Sequence, residues 1–119
     1  MLNLWDNKIY FHVNKMNQLK SDIRQFVKDR NWEQFHSPKN LAMALSVEVS
    51  ELVEIFQWLT EGDSRELLNK EFDNLKDEIG DVQIYLTMIA DCFNLCPIKC
   101  AKAKIKKNIE KYPVLHEQT

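Results

Sequence analysis

The sequence predicts an all-α fold, a four-helix bundle whose two central helices run antiparallel. Three observations carry this. Only two glycines and three prolines occur in 119 residues, too few turn formers for an all-β domain. Apolar residues recur at helical spacing in four separate segments. The length is that of one ordinary domain, enough to bury a core, and the sequence contains no internal repeat or low-complexity run.

Met16, Leu19, Ile23, Phe26 and Val27 predict a first helix over residues 15–29. A polar and aromatic connection, RNWEQFHS, follows. Ser37-Pro38 then marks a helix start, serine as N-cap and proline at the first helical position. The second helix carries Leu41, Ala44, Leu45, Leu52, Ile55, Phe56 and Leu59, with Gly62 suited to its C-terminal cap. Asp63 and Glu66 resemble a capping box opening the third helix, which runs through Leu67, Phe72, Leu75, Ile79, Val82, Leu86, Ile89 and Phe93. Pro97 opens the fourth, carrying Ile98, Ala101, Ile105 and Ile109 until Tyr112-Pro113 stops it.

The net charge is −2, which argues against a protein that coats nucleic acid. The total hides a segregation. Residues 48–81 hold eleven acids and three bases, a sum of −8, whereas residues 99–111 hold six lysines and one acid, a sum of +5. No apolar run approaches the ~18–20 residues that span a bilayer, and the N-terminus does not read as a secretory signal, so the expectation is a cytoplasmic protein without a membrane partner. Cys92, Cys96 and Cys100 are odd in number and interrupted by Pro97, which favours structural thiols over a disulfide framework or a metal cluster.

The chemistry concentrates on the middle helices. Glu48 and Glu51 are three residues apart, as are Glu78 and Asp81, so each pair shares a helix face. With a turn near 61–64, the two pairs lie at levels that differ by only ~6 Å along an antiparallel hairpin. Their neighbours Val47, Val49, Leu52, Ile79 and Val82 are apolar. Four carboxylates converging inside a bundle repel one another unless a cation neutralises them, and Mg²⁺ prefers such hard oxygen ligands. Spacing alone leaves both readings open: a metal site, or four solvated acids.

The run from Trp32 to Trp58, WEQFHSPKNLAMALSVEVSELVEIFQW, followed by DEIGDVQIYL from Asp77 to Leu86, resembles the MazG-like all-α nucleoside triphosphate pyrophosphohydrolases, within them the dCTP pyrophosphatase group. The signature is ExxE, a spacer, then ExxD; here it reads Glu48 to Glu51, 26 intervening residues, then Glu78 to Asp81. The resemblance covers residues 16–113, leaving 1–15 as an N-terminal extension and 114–119 as a tail. It implies Mg²⁺-dependent cleavage between the α- and β-phosphates of a nucleotide, giving a monophosphate and pyrophosphate, with Mn²⁺ as a substitute ion. It makes Glu48, Glu51, Glu78 and Asp81 the metal ligands and gives Glu51 the role of orienting the attacking water, with Glu54 behind them. Trp32, His36, Trp58 and Tyr85 would contribute to the nucleotide pocket. KIKKNIEKYP resembles the closing motif of the group, placing Lys104, Asn108 and Tyr112 at the phosphates or sugar.

One departure concerns specificity. The dCTP-preferring relatives are expected to carry a histidine where this chain has Ile23. The first fifteen residues have no counterpart, and Trp5, Tyr10 and Phe11 there are candidates for packing on a second subunit. The many large apolar groups, together with the resemblance to a family whose members pair bundles so that pockets form near the subunit interface, imply a homodimer or a dimer of dimers. Two other classes compete. A di-iron carboxylate bundle needs two Glu-x-x-His pairs, and only Glu33 with His36 matches, in a connection rather than a helix. A non-enzymatic helical interaction module would use the same apolar stripes for packing alone.

Overall fold

The structure, a computed structural model, describes residues 4–115, with side chains from Asp6 onward; the expectation for Trp5 falls outside the described side chains. Among the described residues there are four helices: α1 (Leu4–Asp29), α2 (Pro38–Phe56), α3 (Asn69–Cys92) and α4 (Pro97–Lys111). Single 3₁₀ turns at Glu33–Phe35 and Asp63–Arg65 punctuate the connections, and no strand occurs among the described residues.

The helix starts with the best local chemistry fall where the sequence puts them. Ser37 Oγ accepts the Asn40 backbone N–H at 3.1 Å, and Pro38 and Pro97 each open a helix, where their missing N–H costs nothing. Asparagine closes α1 and α3. Asn31 and Asn94 take left-handed φ values of 55° and 56°, while Trp32 and Leu95 donate back to the Val27 and Ala90 carbonyls.

Three boundaries differ from the periodicity. α1 reaches back to Leu4, so residues 4–15 continue the first helix without a break. α2 ends at Phe56, and Gly62 has a right-handed φ of −63° in the connection, so it does not supply a left-handed cap. α3 starts at Asn69 rather than after Asp63. The residues around Asp63 are bound into the turn itself: its N–H donates to Thr60 Oγ1 at 3.1 Å, and Ser64 Oγ and Arg65 both donate to the Glu61 carbonyl.

α2 and α3 form the antiparallel hairpin, hereafter the stem. α1 crosses its upper end: Met16 Sδ lies 3.9 Å from Thr87 Oγ1, while Lys20 and Arg24 reach Asp91. α4 leaves the end of α3 at 90° and runs beside the first half of α1. The buried residues collect at this junction: Met16, Ile23, Val27, Leu41, Thr87 and Ala90. Thr87 satisfies its hydroxyl by donating to the Gln83 carbonyl at 2.7 Å. No single helix among the described residues is long and apolar enough to cross a membrane.

One polar element belongs to the junction. Arg24 Nε donates to Asp91 Oδ2 at 2.7 Å, and its second nitrogen donates to Oδ1. Buried Lys20 donates to the Leu95 carbonyl and sits 4.0 Å from Asp91. The Arg24 hydrogen bonds hold the Asp91 carboxyl below its ordinary range against the opposing effect of burial.

Candidate metal centre

Glu48 and Glu51 stand on consecutive turns of α2, and Glu78 and Asp81 do the same on α3. One carboxylate oxygen from each lies within 4.8 Å of the others, and all four residues are half-buried. This is the one such gathering of three or more metal-ligating side chains among the described residues. The register explains it. Glu48 lies level with Asp81 and Glu51 with Glu78; two turns up each helix, Leu41 and Met88 line one cavity, so the pairs step in opposite directions along the two strands of the hairpin.

The electrostatics of the quartet are unsatisfied. Glu48 Oε2 and Glu78 Oε2 are buried with no hydrogen-bond partner. Burial pushes the Glu48 carboxyl up to about 7, helped by its hydrogen bond to Glu51 and by the charges of Glu51, Asp81 and Glu78. Burial, with the Glu51 charge next, raises Glu78 as well. Four acceptor-only groups, two of them with an orphaned oxygen, must share protons or hold a cation, and an all-oxygen donor set fits a hard divalent ion. Glu54 is exposed and outside the gathering.

The remaining predicted site residues divide into three places. His36 lines a cavity of about 330 Å³ at the junction, walled by Ile23, Val27, Leu41 and Met88, with Cys92, Glu33 and the Arg24–Asp91 pair at its polar edge. His36 Nδ1 is buried without a partner. Trp32 stands 6.5 Å from the His36 ring and edge-on to Phe26 at 5.6 Å. Tyr85, half-buried, is one turn above Asp81 on the way from the quartet to this cavity. Trp58 is elsewhere: it is 87% exposed just beyond α2, seven residues below Glu51 and therefore ~25 Å along the stem from Leu41. Trp32, His36 and Trp58 thus do not enclose one base within a single chain. Lys104, Asn108 and Tyr112 share a face of α4, across the corner from the stem.

Sequence reasoning missed Lys20, Arg24 and Asp91. The available signal was an aspartate in the last turn of α3, where the helix dipole disfavours an anion unless a cation meets it. The sequence reads Leu41 as core and Ile23 as core and as a departure; both also wall the cavity, together with Met88, which the periodicity does not single out.

An antiparallel helical hairpin with four facing carboxylates below an apolar cavity defines an all-α acidic-centre bundle. The MazG-like family model matches residues 43–119, and the chain belongs to the MazG-like family. It is similar to dCTP pyrophosphatase 1 of Mus musculus (40% identical over 99 residues, 78% of this chain and 58% of that protein) and of Homo sapiens (39% over 98 residues, 77% and 58%). The chain therefore spans little more than half the length of these relatives. The crystal structure of a pyrophosphatase from Archaeoglobus fulgidus DSM 4304 is also similar, with a TM-score of 0.78 and 40% identity, covering 84% of this chain and 94% of that one.

Proposed function

We propose that the protein is a divalent-cation-dependent nucleoside triphosphate pyrophosphohydrolase that cleaves the α–β phosphate bond of dCTP or a related deoxynucleoside triphosphate. The observation that carries this is the carboxylate quartet with its two orphaned buried oxygens. The similarity to proteins named dCTP pyrophosphatase supports the substrate class.

Glu48, Glu51, Glu78 and Asp81 hold the cation, Mg²⁺ with Mn²⁺ as a substitute. When bound, the ion neutralises charge on the phosphate oxygens and acidifies water. Glu51 accepts a hydrogen bond from the attacking water and fixes its approach; the water oxygen bonds to the α-phosphorus and gives up a proton along that hydrogen bond, the bond from the α-phosphorus to the α–β bridging oxygen breaks, and pyrophosphate leaves with that oxygen. The cavity at His36 takes the nucleoside: it lies two turns, ~10 Å, above the quartet, the separation at which one nucleotide reaches both. His36 Nδ1 supplies a hydrogen-bonding group in an otherwise apolar wall, and Trp32 offers a face for the base. Tyr85 lies beside the sugar or phosphates. Trp58, Lys104, Asn108 and Tyr112 complete substrate binding. The catalytic unit is residues 16–113, it works in the cytoplasm, and it assembles as a homodimer or a dimer of dimers.

The test is purified protein with Mg²⁺ and a panel of ribo- and deoxyribonucleoside triphosphates, with monophosphate, pyrophosphate and orthophosphate each quantified. Equal amounts of monophosphate and pyrophosphate are expected, largest for a deoxycytidine substrate. Orthophosphate as the product refutes α–β cleavage. No product from any nucleotide with Mg²⁺ or Mn²⁺ leaves a helical interaction module.

A further inference from the structure

We infer that the Arg24–Asp91 pair is the specificity element of the His36 cavity, reading the base of the nucleotide by presenting one hydrogen-bond acceptor followed by two donors. That row is the complement of the cytosine edge, which runs amino donor, ring-nitrogen acceptor, carbonyl acceptor. That a nucleotide is what the pair reads rests on the pyrophosphohydrolase reading; the row itself does not.

Polar atoms are scarce in the cavity. Ile23, Val27, Leu41 and Met88 wall it and offer a ring only surface for packing. Arg24 and Asp91 line the same cavity, one from α1 and one from α3. Asp91 stands ten residues above Asp81, ~15 Å along α3. A nucleotide with its phosphates at the quartet brings to that level the part of its base farthest from the sugar. In cytosine that part is the amino group, which lies across the ring from the glycosidic nitrogen.

The way the pair is joined sets what it presents. Arg24 Nε donates to Asp91 Oδ2 at 2.7 Å, and Nη2 donates to Oδ1. This fork uses two of the five guanidinium N–H groups and leaves three. In a planar guanidinium, the remaining Nη2 hydrogen and one Nη1 hydrogen point the same way, across the line through Oδ1, Nη2 and Nη1. Among the described residues Oδ1 accepts from Arg24 alone; Lys20 Nζ lies 4.0 Å away, beyond hydrogen-bond reach. The free side of the fork therefore runs acceptor, donor, donor. Two parallel bonds hold the exposed arginine in register, and buried Lys20 adds its charge behind the carboxylate. The Arg24 hydrogen bonds also keep Asp91 below the ordinary carboxylate range, so it offers acceptors only.

Cytosine satisfies all three positions of this row. Adenine matches its amino group and ring nitrogen but has a C–H at the third. Uracil and thymine carry a carbonyl on each side of N3–H. Setting that N–H on Oδ1 turns one carbonyl to Arg24 and leaves the other beside the carboxylate. Guanine presents the same row and opposes it at every position. Discrimination thus comes from the mismatches as much as from the match.

The test is the ratio of kcat/KM for dCTP over dUTP, because a purely structural pair would change both substrates together. Wild type is expected to favour dCTP at least about tenfold. Asp91→Asn cannot complete the fork, and Arg24→Lys keeps the ion pair but loses the planar row; each is expected to bring the ratio close to one. A wild-type ratio near one overturns the proposal, as do variants that slow both substrates alike. Should Asp91→Asn fail to fold, as judged by circular dichroism, Arg24→Lys decides. A deoxynucleoside triphosphate of 2-pyrimidinone, which lacks only the amino group, should lose about tenfold against dCTP in wild type and almost nothing in Asp91→Asn. Equal losses in both overturn the assignment of Asp91 to the amino group. A second measurement needs no turnover: calorimetric titration with dCMP and dUMP in the presence of Mg²⁺. Wild-type protein that releases no pyrophosphate from any nucleotide refutes the activity reading. Binding of dCMP about tenfold tighter than dUMP, levelled by Asp91→Asn, then still supports the row, and equal or absent binding of the two overturns it.

Discussion

The two ends of the stem are built to different standards. At the junction, Leu41 is 2% exposed, Thr87 is fully buried with its hydroxyl satisfied, and Lys20 and Arg24 both meet Asp91. At the hairpin end, Leu52, Phe56, Leu75 and Ile79 line an almost wholly apolar groove that no other element among the described residues covers, and Trp58 stands in solvent. The same two helices supply both ends, so propensity does not explain the contrast. What differs is the presence of a third element: α1 crosses one end, and among the described residues nothing crosses the other. The quartet lies where the covered half meets the open half, which gives it burial enough to perturb its carboxyls and access enough to admit a charged ligand.

The largest expected effect is at the boundary itself. Glu78→Gln or Asp81→Asn should lower kcat/KM at least about 100-fold, the upper figure for residues that merely support metal ligands. The same variants should raise the melting temperature of cation-free protein, because each removes one of four repelling groups. A variant that loses activity and cation-free stability together would be a folding defect, and the quartet would lose its assigned role.

Next comes the contrast in packing. Leu41→Ala should cost about 2–5 kcal/mol in denaturant unfolding, the range for emptying a closed core site. Ile79→Ala, at a half-exposed position, should leave the intrinsic stability of a chain nearly unchanged and instead make the melting temperature more dependent on protein concentration. Equal, concentration-independent losses would erase the distinction between the two ends.

Asp91→Asn removes the group that Lys20 and Arg24 share, and a loss of about 1–3 kcal/mol is expected, most of it from the buried lysine rather than from exposed Arg24. Because the Asp91 carboxyl is held below its ordinary range, this contribution is present above that range and disappears as pH falls through the lowered value. The difference between wild type and Asp91→Asn should therefore shrink in acid.

The smallest effect is the pH response of the quartet. Glu48 titrates at about 7 in the folded chain against an ordinary 4.5, so the folded state keeps a proton that the unfolded state has released. That stabilisation is complete below pH 4.5 and is lost as pH rises through 7. Cation-free protein should melt at a lower temperature at pH 8 than at pH 6, and saturating Mg²⁺ should narrow the gap. A flat profile without the cation would mean that the four oxygens do not share a proton.

Much of this was legible in the sequence, for identifiable reasons. Four helices follow from a 3.6-residue period alone, and the convergence of Glu48, Glu51, Glu78 and Asp81 follows from that period together with a turn placed near 61–64. Ser37 and Pro97 announce helix starts through bonds confined to a few residues. Gly62 was misleading because glycine occupies left- and right-handed regions equally well, and only its surroundings choose. The 90° corner between α3 and α4 was not legible: Asn94 and Pro97 mark an end and a start but set no angle, and the bond from Lys20 to the Leu95 carbonyl joins positions 75 apart.

The connection from Gln57 to Leu68 has a further consequence. It closes the hairpin without setting the level of any carboxylate; that level is fixed by α2 lying against α3. The 26 residues between the two acidic motifs are therefore an accident of this chain's loop rather than a requirement of its chemistry. Chains with a longer or shorter loop, or one cut there, are expected to keep the same four oxygens face to face. A motif defined by a fixed gap would discard them, whereas one defined by two helical faces would not.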